Sequence, residues 1–291
     1  MSFINKYFNK YYFYIKKIYI KKIFMTNLKI YCITDIPNSN LDKLNLCLAG
    51  VGQKNFPHNY ITCQNGINIQ EKEKYYSELT FHYWLWKNRL KNLDNETWIG
   101  FCQKRRFWIK KNSAVINNLN DLNNNILRKI PSEFEEYDAF LCEPIKVSPA
   151  KTTKLIKRGW KNCLKDPSIL LNKRKHNIKL QFDMFHGYGI LDKAIDKMKI
   201  EHREDFRHYV NTSIEFNPHI MVISKKIILN KWFDDLFSWL FECEKVFGFQ
   251  NLIGYDTGRL YAYLSERYLP FWFNKFYKSK NSPWVFFDTT V

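Results

Sequence analysis

Short apolar runs recur along the chain with the lengths that buried strands have. Residues 28–34 read LKIYCIT and lead into Asp35, Pro37, Asn38 and Ser39, which predicts a buried first strand ending in a loop. Similar runs at 60–63 (YITC), 98–102 (WIGFC), 137–142 (YDAFLC) and 219–224 (HIMVIS) predict further strands. Between most of them the period lengthens. Tyr75, Leu79, Tyr83, Trp86 and Leu90 recur at helical spacing and predict a helix from near Lys74. Ile228, Trp232, Leu236, Trp239, Cys243 and Val246 form one stripe of a second helix over about 226–247, and a third helix is expected from about Gly258 until Pro270. Strands alternating with helices argue for an α/β sheet with ligands at the carboxyl ends of its strands. No internal repeat is present, and only NNLNDLNNN approaches low complexity.

The first 24 residues follow a different pattern. They carry six lysines and no acid, and on a helix Lys6, Lys10, Lys17 and Lys21 share one face while Ile4, Phe8, Tyr11, Ile15 and Ile18 share the opposite one. Their longest lysine-free apolar run, residues 11–15, is far short of the roughly 20 residues that span a bilayer, and it is no signal-peptide core. Two expectations stand: a helix lying on an anionic membrane surface, or a tail ahead of an alternative start at Met25. Residues 25–291 are expected to form one domain, and no transmembrane segment is expected.

Composition narrows the class. With 45% apolar and 18% aromatic residues in 291, there is material for a large core and disorder is excluded for the bulk of the chain. The net charge of +18 favours anionic partners, but 36 of the 46 basic residues are lysines spread throughout, alongside many Asn, Ile, Tyr and Phe, as AT-rich coding produces. Charge alone therefore does not argue for nucleic acid. The seven cysteines form no Cys-x-x-Cys pair, and several sit in apolar runs, so they read as reduced, buried thiols without structural zinc.

Candidate chemistry concentrates in a few stretches. In WIGFCQKRRFW the strand should end near Gln103, leaving Lys104, Arg105 and Arg106 at the sheet edge, where a lysine point charge and planar guanidinium forks suit phosphate oxygens. Glu78, Thr80 and His82 sit among large aromatics on the first helix and need partners if buried. His186 and His219 lie near element ends; Asp256, Arg259, Glu266 and Arg267 mix acids with bases, with Arg259 and Glu266 seven residues apart on a helix. There is no Gly-x-Gly-x-x-Gly, Walker loop, Gly-x-Ser-x-Gly or His-Glu-x-x-His, and no Asp-x-Asp follows a predicted strand.

One ordered set is more specific. Asn68-Ile69, Lys72, Glu78-Leu79-Thr80, Tyr83-Trp84, Trp86-Lys87-Asn88, then Ile99-Gly100-Phe101-Cys102 and Arg105-Arg106-Phe107 resemble the capsular polysaccharide and lipopolysaccharide glycosyltransferases first catalogued as a domain of unknown function. The resemblance continues, less specifically, through His186, HIMVISKK and YLSERYL, and covers most of residues 28–273. Two departures stand out: Gln103-Lys104 replaces the family's His-Tyr before the arginines, and Glu73 stands where an Asn commonly follows the Lys.

The resemblance implies a single GT-A-like (Rossmann-like) α/β domain, with a mixed, mostly parallel central sheet flanked by helices and a helical C-terminal part. It implies an inverting, hexosyltransferase-type enzyme that moves a sugar from a nucleotide-sugar, UDP-linked, to a growing lipid-linked capsular or surface polysaccharide at the inner face of the cytoplasmic membrane. Thr34, Asp35, Asn68, Lys72, Glu78, Thr80, Gln103, Lys104, Arg105 and Arg106 are then expected on the donor and its diphosphate. The general base is expected among His186, Asp256 and Glu266; His219 and Arg259 are further candidate site residues without an assigned role. No cofactor is expected; cations replace the usual metal ligands, so transfer is expected to be metal-independent, with Mg²⁺ or Mn²⁺ dependence the alternative. Nucleic acid is not an expected partner. A basic nucleic-acid-binding protein and a catalytically silent assembly factor of the same fold remain the competing readings.

Overall fold

A computed structural model describes residues 28–111, 115–147 and 152–290; the segment 1–24 lies outside the described residues. Nine strands make the main sheet. They are β1 (Leu28–Thr34), β2 (Cys47–Gly50), β3 (Ile61–Thr62), β4 (Trp98–Gln103), β5 (Arg106–Trp108), β6 (Ala139–Cys142), β9 (Val222–Lys225), β10 (Ser279–Ser282) and β11 (Trp284–Phe286), while β7 (Ile145–Lys146) and β8 (Glu215–Phe216) pair separately. The order β10-β6-β9-β4-β1-β2-β3 is parallel except at β9, which runs against both neighbours; β5 folds back on β4 and pairs with β11. This is the expected mixed, mostly parallel sheet of a Rossmann-like fold.

Alternation along the central strands feeds two cores. Tyr31, Ile33, Ile99 and Phe101 face one side, and Ile30, Cys32, Trp98 and Cys102 face the other. Burial on both faces explains why these strands read as near-continuous apolar runs. Gly100 sits between β1 and β9, where a Cβ would meet Ile223 at 2.8 Å and Ile30 at 3.1 Å, so the central strand needs glycine there. The seven cysteines are free, five of them buried.

The helices used below are α1 (Glu73–Tyr76), α2 (Leu79–Asn88), α3 (Thr152–Arg158), α4 (Trp160–Lys165), α5 (Ile178–His186), α6 (Lys226–Phe247), α7 (Gly254–Gly258) and α8 (Leu260–Phe276). Three departures from the periodicity are informative. The helix expected from Lys74 is broken into α1 and α2 by Ser77, whose φ of 52° no regular helix accepts. The helix expected to stop at Pro270 runs to Phe276, because Phe271, Trp272 and Phe273 pack into the core and offset the roughly 3 kcal/mol cost of an interior proline. The helical C-terminal part is followed by β10 and β11, of which SKNS gave no apolar signal.

His82 on α2 is fully buried with both ring nitrogens unpartnered, its ring 4.0 Å from that of Phe101, and burial pushes its pKa down to about 3. Because the folded state refuses a proton that the unfolded chain accepts near pH 6.5, stability falls as pH drops below that value towards 3. His82→Leu is expected to flatten this acid loss; thermal unfolding at pH 7 and pH 5 measures it, and an unchanged difference between the two would contradict it.

Candidate functional site

The carboxyl ends of β1 and β4 open into a cleft of about 490 Å³, closed by α1, the start of α2, α7 and α8. β4 ends where expected. Lys104 and Arg105 form a two-residue turn, and Arg106 begins β5 opposite Gln103, so the three cations are carried on a hairpin tip. Residues from the far end of the chain brace it: the Phe287 amide donates to the Arg105 carbonyl at 3.0 Å, and the Thr289 hydroxyl donates to the Lys104 carbonyl at 2.9 Å.

Each cation is held differently. Lys104 Nζ donates to Asp35 Oδ1 at 2.6 Å, tying the tips of β4 and β1 together. Burial alone would raise the Asp35 carboxyl, but the Lys104 ammonium outweighs it and holds the group below its ordinary range. Arg105 reaches Asp288 at 3.8 Å, and its Nε is buried without a partner. Arg106 donates to Gln103 Oε1 at 2.9 Å, and Gln103 Nε2 donates to Glu78 Oε1. A guanidinium can only donate and an ionised carboxylate only accept, so the network fixes which way the amide points. Positions 99, 101 and 103 share one face of β4, the face that packs against α2, which is why Gln103 meets Glu78. Burial lowers the Arg106 pKa from its usual value, but a guanidinium stays protonated in a protein.

The opposite wall carries Glu266 and His219. The His219 amide donates to Glu266 Oε1 at 2.6 Å, and the Arg267 guanidinium pairs with Oε2. Burial would raise the Glu266 carboxyl; Arg267 foremost, with His219, holds it below its ordinary value, so it is ionised at neutral pH. Arg267 stacks on Phe216 at 3.9 Å and donates to Gln181, so the pair is fixed from behind. Burial lowers the His219 imidazole to about 4. Ser77 and His219, two of the three non-glycine residues described with positive φ, both line the cleft, where strained backbone is concentrated at functional sites.

Thr34, Asp35, Glu78, Gln103, Lys104, Arg105, Arg106, His219, Arg259 and Glu266 thus share one cleft. The other expected residues lie elsewhere. Asn68 shapes its own loop, donating to the Gly66 carbonyl and accepting from the Gln70 amide. Lys72 pairs with Glu244 at 2.7 Å, fixing α6, and the buried Thr80 hydroxyl donates to the Ser77 carbonyl. His186, which does not line the cleft, stacks on Tyr263 at 3.9 Å with Nδ1 on the Asp256 carbonyl, and burial lowers it to about 4. The Asp256 carboxylate pairs with Arg158 at 3.0 Å. Among the described residues no group of three His, Cys, Asp or Glu side chains is placed to hold a metal ion.

The family model described as a domain of unknown function, DUF4422, matches residues 29–279. The chain belongs to the DUF4422 family. A search of curated proteins finds no match. Among solved structures, the DUF4422 chain is similar to the apo structure of WbbM, described as a bifunctional glycosyltransferase, with a TM-score of 0.68 and 19% identity over 90% of this chain. The match spans 45% of the WbbM chain. That likeness fixes the fold.

Reading the DUF4422 sequence alone misses Glu73, Ser77, Tyr255 and Tyr263, which also line the cleft. Glu73 stands at a departure from the family pattern, and that was its signal. Its carboxyl is raised by burial despite Arg259 nearby, with Asp35 and Glu78 adding to the rise. Tyr255 and Tyr263 flank Arg259 at the junction of α7 and α8, and no pattern in GYDTGRLYAY separates them from core tyrosines.

Proposed function

We propose that this chain transfers a sugar from a nucleotide-sugar, with UDP-sugars as the donor class, to a growing surface polysaccharide carried on a lipid. The observation that most supports the reading is the cationic hairpin tip, preorganised by the Arg106–Gln103–Glu78 and Lys104–Asp35 contacts at the strand ends of a glycosyltransferase-like fold. In this scheme the donor diphosphate lies against Lys104, Arg105 and Arg106, with Arg259 across the cleft. Glu266 accepts the acceptor hydroxyl's proton while the acceptor oxygen bonds to the anomeric carbon. The bond from that carbon to the diphosphate breaks, and its electron pair leaves with the nucleotide. Charge grows on the departing diphosphate, where donors already in place act without reorganising. His186 and Asp256 are support for the Tyr263 wall in this scheme rather than bases.

Where GT-A folds commonly end a strand in Asp-x-Asp, β4 ends in Gln103-Lys104-Arg105-Arg106, a set that repels a divalent ion and attracts its usual partner, the diphosphate. These residues do not fit a metal, and no step here runs through one. The test is thermal unfolding with UDP, UDP-sugars and other nucleotide-sugars in EDTA. A donor present at 100 times its Kd stabilises by about 2.7 kcal/mol, which corresponds to roughly 5–10 °C. No shift with any nucleotide-sugar, together with salt-sensitive oligonucleotide binding, would favour the nucleic-acid reading. A shift lost in EDTA and restored by Mn²⁺ would remove the metal-independent part.

A further inference from the structure

Helices α3 and α4 form an almost continuous rod, since the Gly159 amide bonds to the Leu155 carbonyl and the Cys163 amide to the Gly159 carbonyl. Leu155 and Ile169 are buried against Leu180 and Met184, with Cys163 packed beside them. The adjacent stripe has no such cover. Ile156 is 57% exposed, Trp160 50% and Leu164 73%, and Leu171 just beyond is 90% exposed. The stripe follows the i, i+4, i+8 spacing of one helix face, so it is one apolar ridge rather than scattered side chains.

Cations border this ridge on its exposed flank. Lys154, Lys157, Lys161, Lys165, Lys173 and Arg174 are exposed, and none pairs with an acid among the described residues. Arg158 and Lys175 do pair, with Asp256 and Asp166. An exposed apolar ridge with a tryptophan at its centre and a row of lysines along its solvent-facing flank has the composition of a surface that lies in the headgroup layer, with aliphatic side chains inserted and ammonium groups at the phosphates. A second copy of this chain would bring like charge against like, and so would the acid-free segment 1–24.

We propose that the ridge of Ile156, Trp160, Leu164 and Leu171, with its lysine border, docks on an anionic lipid bilayer. Arg158 pairs with Asp256 on α7, the helix that supplies Tyr255 to the cleft, so the rod that carries the ridge is tied to one wall of the cleft. The docking stands on its own observations; only its use, presenting a lipid-carried acceptor, rests on the transferase reading.

The test is co-sedimentation of the full chain with phosphatidylcholine vesicles and with vesicles that also contain phosphatidylglycerol. Binding is expected to the anionic vesicles and to weaken with salt. Two variants, W160S/L164S and K161Q/K165Q, are each expected to lower that affinity at least tenfold while leaving the nucleotide-induced thermal shift unchanged. Residues 1–24 are intact in both, so the loss belongs to the ridge. Unchanged affinity in both variants overturns the proposal, as does equal binding to neutral vesicles or a preference for oligonucleotides over vesicles. If the serine variant melts early, the glutamine variant alone decides. Vesicle binding without any nucleotide response would refute the transferase reading only; a nucleotide response without vesicle binding would refute the docking only.

Discussion

Arg106→Ala is expected to lower kcat by roughly 10²- to 10³-fold, the usual effect of deleting one preorganised donor to a charge that develops in the transition state. The loss should fall mainly on kcat, because Lys104 and Arg105 still attract the ground-state diphosphate. Arg106→Lys should recover little: its single ammonium cannot both keep the bond to Gln103 and present a planar fork to phosphate oxygens. Gln103→Ala tests the same idea indirectly, since Arg106 is aimed by the Gln103 amide. Steady-state kinetics with varied donor decide the matter. If Arg106→Ala raised KM and left kcat within a few-fold, the guanidinium would be a binding group and not a stabiliser of the leaving group.

Glu266→Gln is expected to lose both turnover and stability. As a proton acceptor the carboxylate is worth about 10²- to 10⁴-fold in rate. The substitution also leaves the buried Arg267 without its counter-charge, which costs about 3–5 kcal/mol and lowers the melting temperature by roughly 10 °C. The pH dependence separates the two roles. The folded pKa of Glu266 lies below its unfolded value, so the pair stabilises above the unfolded carboxyl pKa near 4.3 and that contribution is lost as pH falls through the folded one. Wild type should therefore show an acid loss of stability that Glu266→Gln lacks. Arg267→Gln provides the contrast: it destabilises but keeps the carboxylate, so its kcat, measured well below its melting temperature, should exceed that of Glu266→Gln. Equal kcat values would assign Glu266 a structural role.

The strands that build the cleft were legible because both their faces are buried, which leaves an uninterrupted apolar run in LKIYCIT and WIGFC. The hairpin tip was legible because a strand that ends in three cations has few structural reasons to do so. Other features depend on distant partners and left no local trace. The break at Ser77 is a backbone choice set by how α1 and α2 pack, and β10 is a strand only because β6 lies beside it. Asn68, Lys72 and Thr80 have the polarity of ligand contacts, yet their groups are spent on a loop, on Glu244 and on the Ser77 carbonyl. The family resemblance implied a donor-side place for them; the folded geometry shows that they hold the elements which carry Glu78 and Ser77. His186 packs on Tyr263 and on the Asp256 carbonyl, and nothing in FDMFHGYGILDKAID distinguishes that placement from one in the cleft.

The brace on the hairpin tip links residues separated by 185 positions, Lys104 and Thr289. Closing so long a loop carries an entropic penalty before any contact repays it, and such distant pairings form late in folding. During synthesis the sheet around β1 and β4 can assemble while the tip stays loose, and the cations reach their final positions only after residues 284–289 have left the ribosome. The hairpin tip is therefore completed later than the strands that carry it.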